Sequence, residues 1–206
     1  MKGTAPTVFV VDDDFGVRSS IRVLMKSIGL PATPYASAKE FLAAYDAAQP
    51  GCLVLDIRMP GMSGLELQGK LNERHSILPI IFITGHGDVP MAVEAMQAGA
   101  VDFIQKPFRD QDLLDRINQA LDKDAGSRRM LAERNMIRKR LDSLTPREHE
   151  VLDLVVAGKA NKVIAGDLNL SQRTVEIHRA RVMEKMEAHS LAHLVRMVLE
   201  VDRKDE

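Results

Sequence analysis

A chain of 206 residues, 45% of them apolar, has the size of one large or two small globular domains. Its 28 basic and 29 acidic side chains exclude a polyelectrolyte, and the absence of any apolar run of about 18 residues predicts neither a membrane span nor a secretory leader. One cysteine excludes an internal disulfide, and Cys52, set inside an apolar run, reads as a small buried hydrophobe in a cytoplasmic protein.

Taken along the chain, residues 1–123 alternate strand and helix patterns. Val8–Val11 predicts a strand and Val17–Ile28 a helix, with Val17, Ile21, Leu24, Met25 and Ile28 at helical spacing. Pro34–Ser37 is a short strand and Ala38–Ala47 a helix; Leu53–Leu55 is a strand and Gly64–Glu73 a helix. Pro79–Ile83, Pro90–Ala98, Val101–Ile104 and Asp110–Lys123 continue as strand, helix, strand and helix. Five such units predict an α/β domain with a five-stranded parallel sheet covered on both faces, in flavodoxin-like order.

The carboxyl ends of parallel strands are where such sheets place their chemistry. The first strand runs into Asp12-Asp13-Asp14, and Cys52-Leu53-Val54-Leu55 delivers Asp56 before a Pro- and Gly-punctuated loop. The later strands deliver Thr84 and Lys106. An acid pair ready for a divalent cation, a nucleophilic carboxylate, a hydroxyl and an ammonium are the parts needed to move a phosphoryl group onto Asp56. Asp14 reads as a helix-start acid, His86 as a loop residue, and Met59 and Met62 as loop packing. Phe103 fits either core packing or a switching role.

Residues 1–123 resemble the receiver domain of two-component response regulators, and Thr84-Gly85-His86-Gly87-Asp88-Val89-Pro90-Met91-Ala92-Val93-Glu94-Ala95-Met96 resembles the FixJ-type subfamily. The resemblance implies phosphorylation of Asp56 by a sensor histidine kinase. It implies Mg²⁺ (or Mn²⁺) held by Asp13, Asp56, Asp12 through water, and the backbone carbonyl of Arg58. It further implies that Lys106 binds the phosphoryl group and precedes a cis bond to Pro107, and that Thr84 and Phe103 form the switch.

Residues 124–143 carry net charge +3, against −3 before and −1 after, and read as a polar connector, largely helical after Gly126, with Leu131, Ile137, Leu141 and Leu144 at near-helical spacing. Residues 144–206 are helical throughout. Thr145-Pro146-Arg147-Glu148 is a capping box with proline at the first helical position, and Gly158 ends that helix. Asn161–Leu168 is a second helix, Asn169-Leu170-Ser171 a turn, and Ser171 caps a third helix to about Met186. Ser190 caps a fourth. Two short helices around a three-residue turn predict a helix-turn-helix in an all-α four-helix domain.

On the third helix Val175, Val182 and Met186 define the buried face. Arg173, Ile177, Ala180, Arg181 and Glu184 fall opposite, a poor solvent face but a sensible groove face. Ile177 or Ala180 suits a thymine methyl, Arg173 guanine or phosphate, and Glu176 a cytosine amine. Thr174, Arg181, Asn161 and Lys162 read as phosphate contacts. Residues 144–199 resemble the LuxR-type effector, carried by Leu144-Thr145-Pro146-Arg147-Glu148, Asn161-Lys162 and Thr174-Val175-Glu176-Ile177-His178. Arg179 departs from the pattern, and its role stays open between packed stem, phosphate contact and dimer contact.

The whole implies a transcription regulator that dimerises when phosphorylated, binds promoter DNA, and activates through RNA polymerase. Two other readings stand beside it. An aspartate-based phosphatase would want a second acid two residues after Asp56, where Arg58 stands. A phosphate-sink or docking module would not bind DNA.

Overall fold

The computed structural model describes residues 5–85 and 89–202; His86 and the two residues after it lie outside them. Its interactions divide the chain into Met1–Arg128 and Arg129–Glu206.

The first unit is a five-stranded parallel sheet in the order β2-β1-β3-β4-β5, built from β1 (Thr7–Val11), β2 (Ala32–Tyr35), β3 (Gly51–Asp56), β4 (Ile80–Thr84) and β5 (Asp102–Gln105). The intervening helices are α1 (Phe15–Ser27), α2 (Ala38–Ala44), α3 (Gly64–Glu73) and α4 (Val89–Gln97), and α5 (Asp110–Asp142) follows the last strand. Side chains alternate across each strand. Phe9, Val11, Leu53, Leu55 and Phe82 meet Phe41, Leu67, Leu71 and Ala95 on one face. Val8, Val10, Cys52, Val54, Ile81 and Ile83 meet Ile21, Met25, Leu113 and Ile117 on the other. Cys52 is fully buried, and burial followed by the Asp124 charge pushes its thiol up to about 12, far from reactive.

The edge strand β2 lies two residues earlier than the alternation places it. Pro34, which cannot donate to a ladder, is tolerated inside it because an edge strand bonds on one side only. Ile28, the last position of the α1 stripe, is exposed, because α1 ends at Ser27. Asp14 caps α1, accepting from the Gly16 and Val17 amides at 2.6 and 3.3 Å. Met59 is buried and Met62 packs against the same core. Gly64 opens α3 directly against β3: a Cβ there would stand 2.3 Å from the Asp56 carbonyl oxygen, so only glycine lets the helix approach the end of that strand.

Residues 124–142 continue α5 as unbroken helix, 33 residues in all. Asp124 and Arg128 belong to the first unit. Asp124 is buried and accepts from the Gly51 amide at 2.9 Å, while Arg128 pairs with it and donates to the carbonyls of Ala47, Ala48 and Gln49. Ile137 belongs to the second core, whereas Leu131 is 47% exposed and packs into neither.

The second unit adds α6 (Pro146–Val156), α7 (Asn161–Asp167), α8 (Gln172–Lys185) and α9 (Leu191–Asp202). Thr145 and Glu148 close the capping box. Ser171 caps α8 through the Thr174 amide, and Ser190 accepts from the His193 amide at the start of α9. Val151, Leu152, Ile164, Val175, Val182, Met186, Leu194 and Met197 form one core with Ile137 and Leu144. Among the described residues no helix is long and apolar enough to cross a membrane.

Candidate functional site

In the first unit, β1 delivers Asp12, β3 ends on Asp56, β4 on Thr84, and β5 is followed by Lys106. The register pairs Val11 with Leu55, Asp56 with Ile83 and Thr84 with Gln105, so these ends are level along one edge of the sheet. Asp12, Asp56 and Thr84 are buried, with at most 6% of each exposed. The Lys106 ammonium donates to Asp12 Oδ2 at 2.8 Å and to Asp56 Oδ1 at 2.6 Å, joining the two acids. The Asp14 amide donates to Asp12 Oδ1 at 2.8 Å and the Arg58 amide to Asp56 Oδ2 at 2.7 Å. Arg18 donates to the Asp12 carbonyl at 2.6 Å and so steadies the turn after β1. Thr84 donates to the Gly85 carbonyl at 3.1 Å. The Lys106–Pro107 peptide is cis.

Burial pushes the Asp56 carboxyl above its ordinary value. Lys106 and the Arg58 amide pull it back only in part, and the Asp12 charge adds to the rise. Burial alone would lower Lys106, but its bonds to Asp12 and Asp56 outweigh that and hold it up, so it stays an ammonium. A desolvated carboxylate with a like charge beside it favours any cation that reaches it. Each Asp56 oxygen accepts one bond described above, and a carboxylate oxygen has room for a second partner.

The remaining oxygens belong to exposed Asp13 and to Arg58. Among the described residues no three His, Cys, Asp or Glu side chains stand together as a complete cage. An all-oxygen set of few carboxylates open to water suits Mg²⁺, which keeps several waters and uses one or two carboxylates, and is too sparse for a calcium cage. The residues present therefore fit the cation. Phe103, on β5, is 38% exposed, which removes the core-packing alternative.

In the second unit, α8 presents the two faces its sequence dictates. Val175, Val182 and Met186 are buried, while Arg173, Glu176, Ala180 and Arg181 are exposed and Ile177 is 47% exposed. Thr174 is half-buried; its hydroxyl shares a bond of 2.8 Å with Ser171. On α7, Lys162 and Val163 are exposed and Asn161 is half-buried. Arg179 does not stand free: its guanidinium donates to Asn161 Oδ1 at 2.5 Å, and it lines a small cavity with Val151, Val155, Val182, Met183 and Leu194.

Two families match these units. Residues 8–118 match the response regulator receiver domain. Residues 142–198 match the bacterial regulatory proteins of the luxR family.

The chain is a two-component response regulator of the FixJ type.

It is 50% identical over 193 residues to the transcriptional regulatory protein FixJ of Rhizobium meliloti, covering 94% of this chain and 95% of that one. Among solved structures, response regulator StyR aligns with a TM-score of 0.86 at 47% identity, covering 95% of this chain and 98% of StyR. Full-length FixJ from B. japonicum aligns with a TM-score of 0.60 at 42% identity, covering 96% and 98%. This response regulator thus joins a receiver to a LuxR-type DNA-binding domain and is a regulator of transcription rather than an enzyme; the docking-module alternative is not favoured. Receiver domains as a class use Mg²⁺ in phosphorylation, and the family works with a sensor kinase and promoter DNA.

The sequence reading missed three tertiary devices. One is the Asp124–Arg128 clamp on the turn before β3, whose only advance signal was the spacing of four. Another is the buried pair of Glu148 with Lys185 at 2.6 Å, reinforced by the Thr145 amide at 2.8 Å. The third is Arg140, which donates to the Met186 carbonyl at the end of α8 and pairs with Glu187.

Proposed function

We propose that this regulator is phosphorylated on Asp56 by a sensor histidine kinase, or by a small phosphodonor, and then dimerises and binds paired half-sites in promoter DNA through α8. The observation that carries the reading is the Lys106 ammonium held between Asp12 and Asp56 at the ends of neighbouring strands. An Asp56 oxygen, through its remaining lone pair, attacks phosphorus in line; the bond from phosphorus to the donor breaks, the donor group leaves with that electron pair, and an acyl phosphate results. Burial makes this carboxylate less hydrated, hence a readier nucleophile. Mg²⁺ (or Mn²⁺), held by Asp13, Asp56, the Arg58 carbonyl and Asp12 through water, would neutralise the phosphoryl oxygens.

After transfer Lys106 trades its bond to Asp56 for the phosphoryl group. Thr84 trades the Gly85 carbonyl for a phosphoryl oxygen, and Phe103 turns inward into the space vacated. A few kcal/mol of differential contact to the dianionic group suffices to shift the receiver to its dimerising form.

In this reading residues 1–123 are the phospho-acceptor, 124–143 the connector and 144–206 the effector of a cytoplasmic protein. Ile177 and Ala180 meet thymine methyls, Arg173 guanine or phosphate, and Glu176 a cytosine amine. Asn161, Lys162, Thr174 and Arg181 hold phosphates. The effector is acidic overall, but residues 171–185 hold four basic and two acidic side chains, so its positive charge is local. One such module binds weakly, and two joined in a dimer bind far more tightly. Activation through RNA polymerase follows.

The test combines radiolabelled acetyl phosphate, Mg²⁺ and light scattering. Wild-type protein takes up one acid-stable, base-labile label and gains mass toward a dimer, and Asp56→Asn does neither. Label on the Asp56→Asn protein, or none on wild type, would sink the assignment.

A further inference from the structure

The bond between α8 and α7 has a functional consequence. Arg179 reaches across from the recognition helix and donates to Asn161 Oδ1 at 2.5 Å. A guanidinium has donors only, so the atom it faces must be the amide oxygen, and the NH₂ group must point the other way. Asn161 opens α7 next to the exposed Lys162. The Asn161 amide would otherwise rotate almost freely, because the terminal torsion of asparagine is broad. The cap before it is Ala160, which makes no side-chain bond to fix the turn. Arg179 itself is half-buried and lines a small cavity with Val151, Val182 and Leu194 of α6, α8 and α9. The guanidinium holds the amide through this one bond.

We infer that Arg179 is a positioning residue for DNA binding, fixing the Asn161 side chain with its NH₂ donors turned toward the phosphate backbone. The inference rests on the proposed role of Asn161 as a phosphate contact. It gives Arg179 a task distinct from touching DNA: its charge is spent on a protein oxygen, and what it supplies is preorganisation of a neutral donor.

Phosphate contacts are independent of sequence, so a mixed-sequence duplex at low ionic strength is a sufficient probe for the full-length protein with acetyl phosphate and Mg²⁺. Arg179→Met keeps an apolar stem and removes the donors. It is expected to weaken binding about five- to tenfold, the worth of one hydrogen bond, with an unchanged salt slope. Asn161→Ala is expected to lose as much, and the double variant no more than either single one. Arg179→Lys, which keeps a cationic donor group, should recover most of the affinity. Asn161→Asp preserves an oxygen for Arg179 but has no NH₂; it should melt no lower than wild type and yet bind at least as weakly as Asn161→Ala. That variant keeps the question open to refutation should Arg179→Met fold poorly.

A salt slope lowered by about one unit in Arg179→Met would identify Arg179 as itself a phosphate contact and overturn the inference. Additive losses in the double variant would do the same, as would wild-type binding by Asn161→Asp. If Asn161→Ala binds as wild type, the phosphate role of Asn161 is what fails. If Asn161→Ala is weak while Arg179→Met is not, that role stands and the positioning fails.

Discussion

Each half of this response regulator buries a carboxylate against a lysine at 2.6 Å, Asp56 with Lys106 and Glu148 with Lys185. The outcomes are opposite. Glu148 is held down to about 2, first by Lys185, then by the Thr145 amide. Asp56 is pushed up, because burial and the neighbouring Asp12 outweigh its lysine. What separates them is first the weight of desolvation, the largest cause of the Asp56 rise, and then the count of acids. Lys185 serves one carboxylate, and its remaining bond goes to the Ser143 carbonyl, whereas Lys106 is divided between two. An acid with its own cation is a fastener; an acid that must share one is left seeking positive charge. The effector pair stabilises a fold, and on the proposed function the receiver pair stores an imbalance that an added cation and phosphoryl group would relieve.

The comparison breaks most directly at Lys185. Lys185→Met leaves Glu148 buried beside an apolar stem, and the effector should lose about 2 kcal/mol, less than for a fully buried pair because solvent screens the one-third-exposed Lys185. The two units can be followed apart: both tyrosines, Tyr35 and Tyr45, lie in the receiver and the chain has no tryptophan. Tyrosine fluorescence therefore reports the receiver in a urea titration and far-ultraviolet dichroism reports mainly helix. A loss below about 0.5 kcal/mol, the scale of an ordinary surface substitution, would show that Lys185 is not the fastener.

Acid sharpens the contrast. Glu148 has a depressed folded value, so its contribution is complete above its unfolded value of 4.5 and is lost as pH falls toward about 2. Between those limits the effector should lose about 2 kcal/mol through this group, and Glu148→Gln should flatten that part of its profile. For Asp56 the sign reverses. Its folded value is raised, so stability from this group is present below its unfolded value of 3.8 and is lost as pH rises through the folded one. At neutral pH the ionised Asp56 is a burden.

Replacing that charge with the neutral isostere should therefore help the receiver. Without divalent cation at pH 7, Asp56→Asn should be more stable than wild type by about 1 kcal/mol, the usual trade of stability for function. Millimolar Mg²⁺ should raise the wild-type midpoint and leave the variant unmoved. Equal stabilities with cation removed, or equal responses to Mg²⁺, would mean that Asp56 carries no stored imbalance.

How legible each pair was in the sequence follows from how local its signals are. Asp12, Asp56 and Thr84 each end an apolar strand run and Lys106 follows the strand Asp102–Gln105, and parallel pairing brings such ends to one edge without further information. The α8 groove face needed only the helical period, since Val175, Val182 and Met186 define its back. Glu148 announced itself as a capping-box acid, but its burial depends on Lys185, 37 residues on. The spacing of Asp124 and Arg128 was visible, but Gly51, 73 residues away from Asp124, was not. Arg179 looked like an exception to its face because its partner sits on another helix. Patterns within an element are written in neighbouring residues; side-chain ties between elements are set by packing, which no periodicity encodes.

The smallest expected effect lies near the end of the first unit, at Gly126. It sits inside α5, is exposed, and a Cβ there would meet no atom within 4 Å. Alanine should stabilise the helix by about 0.5 kcal/mol or somewhat more, since it costs nothing in packing and removes unfolded-state freedom. Two bonded turns flank the site on its N-terminal side and just beyond it, where Asp124 and Arg128 grip the turn before β3. A glycine kept between such anchors lowers the local barrier to opening while leaving the helix intact. In Gly126→Ala, amide exchange from residues 122 to 130 should slow two- to threefold, the factor that about 0.5 kcal/mol implies. Exchange that stays as fast would mean that the helix opens elsewhere, beyond Arg128, where Leu131 packs into neither core.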